Sequence, residues 1–368
     1  MADLSTRVTG IDLAHPVLPA AGPNVRTGSM MTAALAGGAA GIVSKTVSTT
    51  AAADARPTIR RTTNGGVVNA ETWSEIPVDD YLADLAEAKA TGAPLIVSIG
   101  YQPHEVAALG RLIESEIGPH AFEFSTHYTG SETEPLVEVA RALREAVSVP
   151  VWMKLSPGFP DIPALASAAA PYVDAFVAIN SYGPVLDFDP ARPVPLLGSP
   201  GGTGWLSGPP IRPIALRIVA ELARSQEKPI VGVGGIERGR DAVQFLMAGA
   251  NAVGVCTAAI EAGHGVYGRI AREIDAWLDE HGYASVDEIR GRYPAGSAFA
   301  ARSPATAAVM TIDAQACTGC RACVKSCVHG ALSMDGRIAV VDPGRCIGCG
   351  YCLESCRYEA MELKGRTA

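Results

Sequence analysis

Along residues 11–281 short apolar runs alternate with longer stretches in which apolar residues recur every three or four positions. Eight such runs stand out, at residues 17–21, 41–45, 94–100, 121–125, 150–155, 174–180, 229–235 and 251–257. A run that is apolar at successive positions buries both of its faces, as a parallel strand covered by helices does. Between the runs the period lengthens. Leu136, Val139, Ala140, Leu143 and Val147 share one helical stripe, with Glu138, Arg141, Arg144 and Glu145 left outside it. Eight βα units in about 270 residues match the size and count of a (β/α)8 TIM barrel, with a doubly wound open sheet as the rival. The expected fold class is therefore α/β, with a barrel over residues 1–293. Residues 294–311, rich in Ala, Ser, Gly and Pro and without a period, read as a linker, and residues 312–368 as a small α+β module.

Active sites of such barrels sit at the carboxyl ends of the strands. The ends predicted here hold Ala21-Gly22, Lys45-Thr46, Ser98, Glu123 and Ser125, Lys154, Asn180-Ser181, Gly234-Gly235 and Cys256-Thr257. Glycines closing strands seven and eight let backbone N–H groups approach a phosphate. A lysine at a strand end is either half of a structural ion pair or a positive charge beside a bound ring, and Lys45 and Lys154 are open to both readings.

The small module changes the picture. Eight of the nine cysteines form two copies of one spacing, Cys317, Cys320, Cys323, Cys327 and then Cys346, Cys349, Cys352, Cys356. That is the bacterial ferredoxin run, in which three thiolates hold one 4Fe-4S cluster and the fourth crosses to the other. The expected sets are Cys317, Cys320, Cys323 with Cys356, and Cys346, Cys349, Cys352 with Cys327. A disulfide framework does not suit a chain with one other cysteine, and zinc calls for two pairs rather than runs of four. Val328 and Arg357 stand where a proline usually follows the fourth cysteine.

Two clusters in series form an electron wire that needs an acceptor. Clusters move single electrons while hydride chemistry needs two, and flavin converts between them, so FMN is the cofactor expected in a phosphate-binding barrel. No G-x-G-x-x-G lies between a strand and a helix, so no nicotinamide domain is evident. The formal net charge of -8 argues against a nucleic-acid partner. From residue 312 onward six acids meet seven bases, a balance that suits a module fixed to its partner rather than a free acidic shuttle. With no membrane-length apolar run and no apolar leader, no membrane partner and a cytoplasmic location are expected.

The barrel resembles the FMN barrel shared by dihydroorotate dehydrogenases and dihydropyrimidine dehydrogenase. The tail is similar to the ferredoxin extension of the bacterial dihydropyrimidine dehydrogenase catalytic subunit. The stretches that carry the resemblance are Ser44-Lys45-Thr46, Asn69-Ala70-Glu71 with Ser74-Glu75, Met153-Lys154-Leu155, Ala178-Ile179-Asn180-Ser181, Leu206-Ser207-Gly208, Ile211-Arg212-Pro213-Ile214-Ala215-Leu216-Arg217, Val233-Gly234-Gly235-Ile236 and Val255-Cys256-Thr257-Ala258. Of these, the run from Ile211 to Arg217 and Cys256-Thr257 lean towards the dihydropyrimidine branch. The resemblance implies that Ala21, Gly22, Lys45, Thr46, Lys154, Ile179, Gly208, Gly234, Gly235, Cys256 and Thr257 hold FMN. It implies that Asn69, Glu71, Asn180 and Ser181 meet a flat substrate. Cys256 is then a packing residue.

One stretch departs from the family. In place of Asn-x-Ser-Cys-Pro-His or Asn-x-Ser-Cys-Pro-Asn the chain has Glu123-Phe124-Ser125-Thr126-His127-Tyr128, and the loop that follows has no cysteine. The acid-base work is therefore expected from Thr126, His127, Tyr128 and Glu123. The expected activity is a flavin and iron-sulfur oxidoreductase acting on a CH–CH or C=C bond beside a carbonyl in a small cyclic substrate. Its electrons would pass to or from an external ferredoxin or flavoprotein subunit, and a homodimer is expected. The alternatives are a dihydroorotate or dihydropyrimidine dehydrogenase proper, an RNA dihydrouridine synthase-like enzyme, and a pure electron carrier.

Overall fold

The computed structural model describes residues 2–125, 130–293 and 308–365. The chain divides into two compact units, Met1–Ala295 and Gly296–Ala368.

In the first unit each expected apolar run contains one strand. In chain order these are Val17–Pro19, Ile42–Val43, Leu95–Ile99, Ala121–Ser125, Val151–Leu155, Ala175–Ala178, Ile230–Val233 and Ala252–Val255, all of them buried. Strand one pairs with strand eight, and the parallel ladder runs through seven, six, five, four and three to two. The Ala40 amide donates to the Val17 carbonyl at 3.0 Å and joins the two ends into a barrel. Helices follow the strands and cover the outside. Residues Glu134–Ala146 form one of them and bury Leu136, Val139, Ala140 and Leu143, the stripe expected from the sequence.

Side chains alternate across a strand, so every second residue enters the barrel. Leu18, Val43, Ile96, Ala121, Trp152, Ala175, Val177, Val231 and Ala252 form an inner apolar cluster, separate from the larger shell between strands and helices. Two residues further on, the same parity turns polar: Lys45, Ser98, Glu123 and Lys154 point inward at the carboxyl end, and all four are buried. The opposite end is closed by a hairpin that the apolar pattern did not reveal, Thr6–Val8 paired with Ile11–Leu13, whose Val8, Ile11 and Leu13 join the inner cluster. Trp152 lies across this floor and donates from Nε1 to Thr9 Oγ1 at 3.0 Å.

A second unexpected feature roofs the polar end. Strands Ile59–Arg61, Val67–Asn69, Gly204–Ser207 and Tyr182–Val185 form an antiparallel sheet built from the loops after barrel strands two and six.

The second unit is a small α+β fold of two hairpins, Ala308–Ile312 with Met361–Gly365 and Leu332–Asp335 with Ile338–Val341, and two short helices, Ala322–Ser326 and Tyr351–Glu354. Its first strand occupies residues 308–311, which the sequence assigned to the connection. Met310, 2% exposed, anchors that strand in the module core. Residues 294–307 of the expected connection lie outside the described residues. The internal repeat extends to backbone geometry. Gly319 and Gly348, in equivalent places of the two cysteine runs, both have φ of +71°, and a Cβ at either would lie 2.4 or 2.3 Å from the carbonyl of Arg337 or Ala308.

Trp152 fills the floor of the barrel without a replacement at hand. Trp152→Ala is expected to destabilise the first unit by about 3–5 kcal/mol, read as a lowered midpoint in urea unfolding followed by near-UV circular dichroism. An unmoved midpoint would show that the hairpin floor is not part of the core.

Candidate active site and cluster centre

The polar end of the barrel and its roof enclose a cavity of about 1080 Å³. All eleven residues expected at FMN line it: Ala21, Gly22, Lys45, Thr46, Lys154, Ile179, Gly208, Gly234, Gly235, Cys256 and Thr257. So do the four expected at the substrate, Asn69, Glu71, Asn180 and Ser181. Glu123 does not reach the wall. It lies beneath the cavity, 2% exposed, and of the expected acid-base group it is the one member within the described residues. Thr126, His127 and Tyr128 fall outside them.

Both lysines are paired. Lys45 Nζ donates to Glu71 Oε2 at 2.7 Å, and Lys154 Nζ lies 3.6 Å from Glu123 Oε1. Glu71, expected to face a substrate, is thereby engaged with Lys45. A lysine held this deep needs a counter-charge, because an uncompensated buried ion costs several kcal/mol. Hydroxyls and amides complete the layer: Thr46 Oγ1 lies 2.8 Å from Ser98 Oγ, Ser98 lies 3.3 Å from Glu123, and Asn180 Nδ2 donates to Ser125 Oγ at 3.1 Å.

The other end of the cavity is backbone-rich. At Gly235 a Cβ would meet the Gly208 carbonyl at 2.7 Å and the Arg212 amide at 3.0 Å, so only hydrogen fits beside this wall. Thr257 Oγ1 donates to Ser207 Oγ at 2.9 Å. Cys256 donates to Asn24 Oδ1 at 3.0 Å, and burial pushes its thiol up to about 11 against the pull of Lys154 and Lys45. It therefore stays a neutral thiol near neutrality, which agrees with a packing role.

The sequence missed five neighbours. Ile59, Val67 and Trp205 reach the cavity from the roof, Tyr101 comes from the loop after strand three, and Asn24 supports Cys256 from below while donating to Tyr267 Oη at 2.8 Å. Burial raises the Tyr101 phenol, with Asp54 and Glu105 adding to the shift, and its hydroxyl donates to the Thr72 carbonyl at 2.6 Å. A single tyrosine in a loop gives no period to detect, and the roof strands are only three or four residues long.

In the second unit the eight cysteines sort into the two expected sets. A cavity of about 350 Å³ is walled by Cys317, Cys320, Cys323 and Cys356. Burial is the chief reason the Cys323 thiol is raised, and the neighbouring sulfurs that add to it are Cys356, Cys317 and Cys320. Cys352 is raised by burial too, and then by Cys349, Cys327 and Cys346. Each group thus brings together three thiols from one run and the fourth from the other. Among the described residues no group of His, Cys, Asp and Glu is spaced for a single metal ion. The thiols surround a volume, as four corners of a cubane cluster require, and the Ala331 amide donates to Cys327 Sγ at 3.2 Å.

A barrel whose mouth joins ion-paired lysines to a glycine-lined end, carried on one chain with two cysteine quartets, defines a flavin and iron-sulfur oxidoreductase. The comparisons say which family. The dihydroorotate dehydrogenase model matches residues 123–278, and the 4Fe-4S dicluster domain model matches residues 309–357. The chain is 35% identical over 298 residues to the dihydroorotate dehydrogenase B (NAD(+)) catalytic subunit of Methanothermobacter thermautotrophicus, covering 78% of this chain and 97% of that one. To the proteins of the same name from Thermoplasma acidophilum and Geobacter sulfurreducens it is 32% and 34% identical, with 79% and 78% of this chain and 99% and 97% of theirs aligned. The chain belongs to the dihydroorotate dehydrogenase family, acts as an oxidoreductase on CH–CH groups, and uses FMN and two 4Fe-4S clusters. These relatives do not single out the dihydropyrimidine branch to which the sequence leaned. They are covered almost end to end while more than a fifth of this chain lies beyond the alignment.

The crossed ligand sets make a direct prediction. Purified protein should hold about eight irons and eight sulfides per chain, and Cys327→Ala should damage the cluster built on Cys346, Cys349 and Cys352 rather than that on its own run. Iron and sulfide analysis with low-temperature EPR of the reduced protein reads both, and about four irons in the unsubstituted chain would refute the assignment.

Proposed function

We propose that this chain interconverts a saturated and an unsaturated carbon-carbon bond next to a carbonyl in a small, flat, uncharged cyclic amide, exchanging the electrons with its own clusters. The observation that carries the proposal is the lining of the cavity. Apart from the carboxylates Glu71 and Glu237 its uncharged polar side chains are mostly amides and hydroxyls, among them Asn69, Asn180, Ser181, Ser125 and Thr72, and its two lysines are already paired with Glu71 and Glu123. An asparagine amide offers one acceptor and two donors, the complement of a ring that alternates C=O and N–H. A carboxylate-bearing ring would find no unpaired lysine or arginine among the described residues of this wall.

When bound, FMN takes hydride-equivalent pairs of electrons on one side and single electrons on the other. The chain's own residues have the remaining tasks. Asn69 and Asn180 orient the ring, and the roof strands Val67–Asn69 and Gly204–Ser207 shield it from water. As the substrate loses a hydride from one carbon it must lose a proton from the next, and that proton needs an acceptor. We assign it to the Thr126-His127-Tyr128 corner, because this position has lost the cysteine and histidine titrates between pH 5 and 8. Glu123 is assigned elsewhere, since its carboxylate lies beneath the wall.

A second reading is dihydroorotate oxidation, favoured by the names of the relatives. In that reading the fused cluster module stands in for a separate iron-sulfur partner. Those relatives are catalytic subunits by name, and this chain has no dinucleotide motif, so in either reading a separate ferredoxin or flavoprotein links it to its ultimate electron source.

Two experiments test the proposal. Steady-state turnover with dithionite-reduced ferredoxin is expected with uncharged cyclic enamides or imides and to be much weaker with orotate, and family-ordinary rates with orotate would establish the second reading instead. His127→Ala and Tyr128→Phe should leave FMN content unchanged and lower turnover by roughly 10²–10⁴ in at least one case. If single-turnover rates of both variants equal that of the unsubstituted protein, the corner is only a wall.

A further inference from the structure

Glu123 is the least exposed charged group at the polar end of the barrel, and the proposed chemistry, which moves the proton elsewhere, leaves it without a task. It sits on strand Ala121–Ser125 directly opposite Ser98 of strand Leu95–Ile99. Ser98 Oγ lies 3.3 Å from its Oε1, and Lys154 Nζ lies 3.6 Å from the same oxygen. Ser98 Oγ is in turn 2.8 Å from Thr46 Oγ1. Of these four residues Thr46 and Lys154 line the cavity, while Ser98 and Glu123 are 0% and 2% exposed behind it.

The proton count of this chain has one solution. A carboxylate only accepts, so Ser98 gives its single hydroxyl proton to Glu123. Ser98 can then only accept from Thr46, which spends its own proton in doing so. Thr46 is left with a lone pair turned to the cavity. The same carboxylate offsets the positive charge of Lys154 in a site where the dielectric is low and the offset is large.

We propose that Glu123 is a positioning residue that sets the reactivity of the bound flavin by holding back the charge of Lys154, and that through Ser98 it fixes Thr46 as a hydrogen-bond acceptor that helps to hold the flavin. The inference rests on the assignment of FMN to this cavity. Two-electron reduction places negative charge on the flavin ring, and a nearby cation favours it. A carboxylate bonded to that cation opposes it, so the flavin is held at a lower potential, as a stronger reductant. An amide at this position would keep the shape of the site and lose the offset.

The test uses the FMN-loaded full chain. In Glu123→Gln the equilibrium between oxidised and reduced flavin should move towards reduced by about tenfold, which for a two-electron couple is about 30 mV. Sulfite, a nucleophile whose adduct also places negative charge on the flavin, should bind about tenfold more tightly. Glu123→Asp, which keeps the charge but withdraws it from Lys154, should move both in the same direction and serves if the glutamine variant folds poorly. In a Lys154→Gln background the Glu123→Gln change should lose most of its effect, as only a residue acting through Lys154 would. Ser98→Ala should leave the potential near its starting value and raise the FMN dissociation constant about fivefold. An unchanged potential and sulfite affinity in flavin-loaded Glu123→Gln, or an undiminished shift in the Lys154→Gln background, would overturn the inference alone. An unsubstituted chain that takes up no FMN would overturn the cofactor assignment beneath it as well.

Discussion

Everything at the functional end of the barrel depends on keeping two lysines charged where there is little water. Lys45 and Lys154 are 5% and 7% exposed, and an unpaired ion at that depth would neutralise itself or unfold its surroundings. The chain solves the problem with a glutamate for each, Glu71 from the loop below the roof and Glu123 from the neighbouring strand. Each pair then constrains a different piece of structure. Glu71 ties the roof segment to strand end two, while Glu123 ties strands three, four and five together through Ser98 and Lys154. The cavity keeps its shape because its charges are cross-braced.

The second unit uses the opposite device. There the buried groups are thiols, and burial, with the neighbouring sulfurs adding to it, raises Cys323 and Cys352, so these two are disposed to stay protonated when free. Iron and sulfide reverse that preference, since a thiolate is what a metal binds. The hydrophobic core here is Met310, Leu332 and Ala339 with the two cysteines themselves, too little to hold some sixty residues together on its own. Exchange of Cys327 and Cys356 between the runs means that neither cluster can form until both halves of the repeat have met. Cluster assembly and folding of this unit are therefore one event.

Much of this was legible before any coordinates. Eight apolar runs became eight barrel strands because a buried parallel strand has no polar face to disguise it. The stripe Leu136, Val139, Ala140 and Leu143 became the buried face of a helix for the converse reason. The cysteine sets were legible because cluster ligation fixes spacing more tightly than any secondary structure does. The floor hairpin and the roof sheet were not, since their three- and four-residue strands are stabilised by partners far away in the chain: Trp205 pairs with Asn69 across 136 residues. Side-chain alternation showed that Glu123 and Lys154 lie on strand ends, yet nothing in the order of residues says that they meet or that Glu71 turns to Lys45. Such pairings are tertiary facts, and they decide which carboxylates face a ligand.

The same pairings bear on how a shared frame comes to serve a different substrate. A glycine-lined end offers backbone amides, which can meet a phosphate without side-chain charge. That leaves the end with the paired lysines as the place where substitutions can change chemistry without disturbing such contacts. Here the sequence has exchanged an amide and a thiol for Glu123 and Thr126, and Glu123 lies beneath the wall. Glu123 lies beside Lys154 without entering the cavity, so a change of its charge reaches a ligand only through the lysine, across a short distance in a site of low dielectric. A strand-end substitution can in this way act on whatever the cavity holds while leaving the lining of the cavity as it is.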